Sequence, residues 1–120
     1  MRVETSSLQD LVDSLGLPHD RISLIKLDIE GYELDVAATL VDIIAMNPQT
    51  VACVASYHTR NGQPTAKGIE EVARQHSSVM AKTVFPYHQT TYLVNRANEE
   101  AASALRQLPA YDDVCASIWC

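Results

Sequence analysis

Apolar positions change their period several times along these 120 residues, and each change marks an element. In "TSSLQDLVDSLGL" (5–17), Leu8, Leu11, Val12 and Leu15 recur at helical spacing behind Thr and Ser capping candidates, and Gly16 stops the run. "RISLIKLDI" (21–29) is a short strand set between Pro18 and Gly31. Its apolar residues do not alternate strictly with polar ones, which predicts burial on both faces and a parallel neighbour. From Glu33 to Met46, Leu34, Ala37, Ala38, Val41 and Ile44 make one helical face, ended by Asn47-Pro48. "TVACVASY" (50–57) is a second buried strand, "TRNGQPT" (59–65) a loop, and "AKGIEEVARQH" (66–76) a polar amphipathic helix. "VMAKTVF" and "TTYLV" flank "PYHQ" and predict an antiparallel hairpin. "ANEEAASALRQL" is a final surface helix, with Pro109 just past its end.

Strands alternating with helices predict an α/β domain with a mainly parallel sheet, to which the C-terminal hairpin adds an antiparallel strand at or near one edge. One domain over residues 1–120 is expected, built as half of a doubly wound sheet.

Charge narrows the partners. Fifteen acids against nine bases give a net −6, which argues against a nucleic-acid backbone or an anionic membrane surface. Cys53, Cys115 and Cys120 form no C-x-x-C and leave an odd count, so neither a disulfide framework nor a cysteine zinc site is expected. The start "MRVETSSLQD" lacks signal-peptide features, and no apolar stretch nears the roughly 20 residues that span a bilayer. A cytoplasmic protein is the expectation.

The chemistry concentrates in "LIKLDIEGYELDV" (24–36). Ligands of open α/β sheets bind beyond the carboxyl ends of the strands. Asp28 and Glu30 stand where the first strand runs out, and two-residue spacing would put Lys26, Asp28 and Glu30 on one face. Gly31 permits a tight turn into the helix. Carboxylates at such a rim can hold a divalent metal, fix a substrate hydroxyl or act as general base. The second strand ends in "SYHTRNG", which would bring Tyr57, His58 and Arg60 to the same rim. Imidazole there could serve as base or metal ligand. The plainer alternatives are a Lys26–Asp28 pair, a surface histidine, and Glu33 and Asp35 placed only to suit a helix N-terminus.

"ISLIKLDIEGYEL" resembles the "IKxDxEGxE" segment of FkbM-type methyltransferases, S-adenosylmethionine-dependent enzymes of Rossmann-like fold. "VETSSLQDLVDSLGL", "VACVASYHT" with "GIEEVARQH", and "VMAKTVFPYHQTTYLV" are similar in pattern to the flanking parts, so the resemblance covers about residues 3–95, with a helix and tail at 96–120. The resemblance implies a partial Rossmann-like methyltransferase sheet and places Lys26, Asp28, Glu30, Gly31 and Glu33 on the family motif. It puts Asp28 and Glu30 near the transferred methyl and the acceptor. Asp28, Glu30 and His58 are the implied catalytic set, with Asp28 or His58 as the base that takes the acceptor hydroxyl's proton. The implied acceptor is a small hydroxyl compound such as a sugar or secondary metabolite.

The family's Gly-rich cofactor turn has no counterpart, since Gly16, Gly31, Gly62 and Gly68 form no G-x-G. The expectation is a truncated, C-terminal half, inactive alone, with an exposed sheet edge open to a homodimer or a partner chain. The alternatives are a non-catalytic binding or dimerisation remnant, in which the tail "VCASIW" covers part of that edge, and a small metal-dependent hydrolase that uses Asp28, Glu30 and His58.

Overall fold

In a computed structural model of the chain, residues 2, 4–16, 18–84 and 88–109 are described. Residues 85–87 of the predicted hairpin and the tail "VCASIW" lie outside the described residues.

Helix α1 (Leu8–Ser14) starts at Ser7, whose hydroxyl accepts the Asp10 amide, and Gly16 follows its end at φ +63°. Only Val12 of its predicted apolar face is buried, while Leu11 and Leu15 are exposed. A 3-10 turn (His19–Arg21) leads into strand β1 (Leu24–Leu27). Helix α2 (Glu33–Met46), strand β2 (Val51–Ala55) and helix α3 (Thr65–Arg74) follow, then strands β5 (Val79–Val84) and β6 (Thr90–Asn95) and helix α4 (Glu99–Gln107). The segment expected to be a loop between β2 and α3 is instead a small hairpin, β3 (Thr59–Arg60) and β4 (Gln63–Pro64). Asn61 and Gly62 form its two-residue tip, both at positive φ (53° and 76°), the backbone that Asn-Gly suits best.

The main sheet has the order β1-β2-β6-β5. β1 and β2 pair in parallel, with Leu27 opposite Val54. β6 runs against both of its neighbours, β2 and β5. Three strands therefore share a direction, and the reversed one sits second from an edge. This is a mixed α/β sheet.

Alternation along β6 divides the core. Leu93 faces α2 and α3, in a cluster with Leu40, Ile44, Val54 and Ile69. Val94 faces α4, with Ala102 and Leu105. The sheet is thus covered on both faces. β1 departs from the expected double burial: it is an edge strand, and Leu24 remains 63% exposed. On α2 the buried face is wider than predicted, since Leu40 and Ile43 join it, while Ala38 points outward.

Buried polar groups fasten the layers. Asn95 donates from Nδ2 to the carbonyls of Ile44 and Ala45, so β6 satisfies the end of α2. Lys82 does the same for α4, donating to the carbonyls of Leu105 and Arg106. A chain of oxygens crosses the sheet: Thr83 donates to Glu70 (2.7 Å) and lies 2.8 Å from the Thr91 hydroxyl, Thr91 donates to Ser56 (2.8 Å), and Ser56 donates to the Gln89 carbonyl (3.1 Å). It holds the end of β2, two residues before His58. Thr91→Val keeps the shape and removes the middle hydroxyl, so Thr83 keeps only Glu70 and Ser56 keeps only the Gln89 carbonyl. We expect a loss of about 0.5–1.5 kcal/mol in urea unfolding at unchanged m-value.

Candidate functional site

The parallel β1–β2 pair ends both strands at one rim. Immediately after β1, the chain turns through Glu30 (φ +59°) and Gly31 (φ +98°), and the Tyr32 amide donates to the Ile29 carbonyl at 3.2 Å. Two successive positive φ values make a turn of the I′ kind. Gly31 takes this backbone freely, whereas Glu30 carries a strain of order 1–2 kcal/mol. Strand alternation stops at Leu27, so Lys26, Asp28 and Glu30 do not share a pleated face as expected. The turn brings Asp28 and Glu30 together by another route, without Lys26.

His58 comes from the junction of β2 and β3 and is 11% exposed. Its Nε2 lies 3.5 Å from Asp28 Oδ1 and 3.6 Å from Glu30 Oε2. Both separations exceed hydrogen-bond length. On the opposite side, Nδ1 lies 2.9 Å from Glu33 Oε1. That is hydrogen-bond distance, but the angular criteria for a hydrogen bond are not met and Nδ1 has no hydrogen-bond partner among the described residues, so the contact is an electrostatic one. Asp28, Glu30 and His58, expected together from sequence, do converge: one ligand atom from each lies within 4.8 Å of the others.

Glu33 carries more than a favourable charge at a helix start. Its side chain is fully buried, Oε1 accepts the Ile29 amide at 3.1 Å, and Oε2 has no hydrogen-bond partner among the described residues. A buried carboxylate is costly unless paired, and here Oε1 holds the turn through the Ile29 amide and faces the imidazole. Tyr57 stacks on His58 with ring centroids 4.3 Å apart and meets His88 edge-on at 5.3 Å. Arg60 turns away to Asp35 at 2.7 Å, which ties the β3–β4 hairpin to the first turn of α2. Between turn and hairpin lies a cleft of about 230 Å³, lined by Glu30, Gly31, Tyr32, Thr59 and Arg60. A cavity of about 280 Å³ at the β5 edge, lined in part by Arg74, His76 and Arg96, is remote from these carboxylates along the sheet.

Chemically, the corner sets one oriented imidazole among three carboxylates. It can accept a proton at Nε2, hold a hydroxyl between Nε2 and a carboxylate, or bind a cation. The concentration of negative charge raises the Tyr57 phenol above its usual 10.0, chiefly through Asp28, with smaller contributions from burial, Glu30 and Glu33. A tyrosinate there would add another negative charge, so the proton is held to higher pH. Ultraviolet titration of the phenols, assigned with Tyr57→Phe, should show Tyr57 ionising above the ordinary range, and Asp28→Asn should move it back down. Glu33→Ala should cost about 1–3 kcal/mol by orphaning the Ile29 amide and should broaden the His58 ring signals in NMR spectra. No family model matches the chain, and neither the curated proteins nor the solved structures contain a match, so the site is read from its own residues.

Proposed function

We propose that the chain carries the acceptor-side catalytic corner of an S-adenosylmethionine-dependent O-methyltransferase of FkbM type, with His58 as general base. The observation that carries this reading is the coincidence of motif and geometry. "IKLDIEGYE" folds as a strand end, a tight turn and a helix start, and the next strand delivers an imidazole backed by the motif's own Glu33. The mixed sheet, with its reversed strand near one edge, agrees with the terminal antiparallel strands that the resemblance implies.

In this reading a small hydroxyl acceptor sits at the rim, its O–H directed at His58 Nε2. Bound S-adenosylmethionine would supply the methyl group and keep the sulfur as leaving group, and His58 Nε2 would take the proton that the acceptor hydroxyl gives up. Glu33 stabilises the resulting imidazolium from the Nδ1 side. Asp28 and Glu30 orient the acceptor, and much of the rate comes from that positioning. The four glycines form no G-x-G arrangement, so a Gly-rich cofactor turn would be supplied from beyond these 120 residues.

The test is complementation. The chain alone should give no binding heat with millimolar S-adenosylmethionine. Fused behind the Gly-rich half of an FkbM-type enzyme, it should support cofactor binding and methyl transfer to a hydroxyl acceptor. His58→Ala in that fusion should lower kcat by about 10²–10⁴-fold at unchanged cofactor affinity. A fusion that binds cofactor and turns over equally well without His58 and Asp28 would refute the assignment.

A further inference from the structure

Three ligand atoms from Asp28, Glu30 and His58 lie within 4.8 Å of one another. We propose that Asp28 Oδ1, Glu30 Oε2 and His58 Nε2 form a site for one divalent first-row cation, with Glu33 as the carboxylate that positions the imidazole from behind.

Three independent observations meet there. First, the donor spacing fits. A four-coordinate ion with bonds of about 2.0–2.2 Å holds adjacent donors about 3.3–3.6 Å apart. Nε2 lies 3.5 Å and 3.6 Å from the two carboxylate oxygens, too far for direct hydrogen bonds and suited to a shared ion. The two carboxylates are free to close on it, since Asp28 is 48% and Glu30 85% exposed.

Second, the histidine is already built as a ligand. A metal-bound imidazole commonly turns its other nitrogen to a carboxylate, which fixes the ring and raises its basicity. Glu33, wholly buried and 2.9 Å from Nδ1, stands in that position. Its Oε2 is a buried oxygen with no hydrogen-bond partner among the described residues, so the corner holds negative charge that its own donors do not neutralise. Arg60, the cation lining the adjacent cleft, is engaged by Asp35.

Third, the turn after β1 lies beside the same donors. Glu30 adopts a left-handed conformation that a non-glycine residue avoids. Strain of this kind gathers at ligand-holding sites, and here it brings the Glu30 carboxylate back toward His58.

One nitrogen with two carboxylate oxygens suits Mn²⁺ or Zn²⁺ and leaves coordination positions for water or a hydroxyl substrate. Bound in this way, the ion lowers the pKa of the coordinated O–H, the task given to free His58 in the methyl-transfer reading. An occupied Nε2 cannot also take a proton, so the two roles alternate. Cation binding needs no methyl donor, and the inference stands or falls separately from the proposed reaction.

Mn²⁺ is the probe, because it avoids the cysteines. Titrated into the full chain without cofactor, it should lose its free-ion electron paramagnetic resonance signal with one-to-one saturation. Pulsed spectra of the bound ion should show coupling to one imidazole nitrogen. Glu30→Gln and Asp28→Asn should each weaken binding at least 10-fold, and Glu33→Gln about 10-fold with the nitrogen coupling retained. His58→Ala should abolish the coupling, and Glu99→Gln, on the exposed face of α4, should change nothing. Should His58→Ala fail to fold, Glu30→Gln decides, because its side chain is in solvent. Absence of saturable binding, binding without nitrogen coupling, or affinity indifferent to Glu30→Gln would each overturn the site.

Discussion

A buried carboxylate needs its partners, and at Glu33 that demand organises the functional end of the molecule. Its Oε1 takes the Ile29 amide and faces the His58 ring. One side chain thereby joins the turn after β1, the start of α2 and the segment after β2. Each of the three would be an ordinary exposed junction without it. With it, a histidine otherwise free to swing into solvent has one nitrogen directed inward and the other toward Asp28 and Glu30. The cost of burying the charge is offset in part by the Ile29 amide and by the facing imidazole, while Oε2 keeps no hydrogen-bond partner among the described residues.

The sheet supplies what Glu33 cannot. Parallel pairing of Leu27 with Val54 makes two strands end at one rim, which an antiparallel pair would not do. The hydroxyl chain from Glu70 to Ser56 anchors the end of β2 from the β5 side of the sheet, on the α2 and α3 face. The Asp35–Arg60 pair folds the β3–β4 hairpin against α2; being exposed, it adds at most about 1 kcal/mol and acts mainly as a guide. Tyr57 closes one side of the imidazole. The site is buried on the Nδ1 side of His58 and open on the Nε2 side, where both carboxylates are exposed.

The sequence made the larger elements legible because each rests on local pattern. α2 runs from Glu33 to Met46 as its periodicity predicts, and β5 and β6 form the expected antiparallel pair. Asp28, Glu30 and His58 could be placed together because strand ends in parallel sheets share a rim. What escaped was non-local. Burial on both faces was read into β1 from an apolar run, yet edge position depends on which strands lie beside it. The Asn61-Gly62 hairpin was hidden by its polar flanks, although the dipeptide itself was the signal. Glu33 resembled any acid in the first turn of a helix. Its burial depends on His58, twenty-five positions away, and no periodicity reports that.

The strained Glu30 links these observations to function. Asp28 leaves an edge strand into solvent, and an extended continuation would carry Glu30 away from His58. The left-handed turn reverses that path at a cost in backbone energy, and Gly31 completes it where a side chain would be strained. Nothing in the apolar packing calls for this, since Glu30 itself is exposed. The conformation brings negative charge up to a histidine already faced by Glu33, an arrangement that electrostatics alone resists. A proton or a cation on Nε2 turns that repulsion into attraction. Exposed carboxylates on one side of the ring and a buried one on the other leave Nε2 facing concentrated negative charge, which is where a cation would be held.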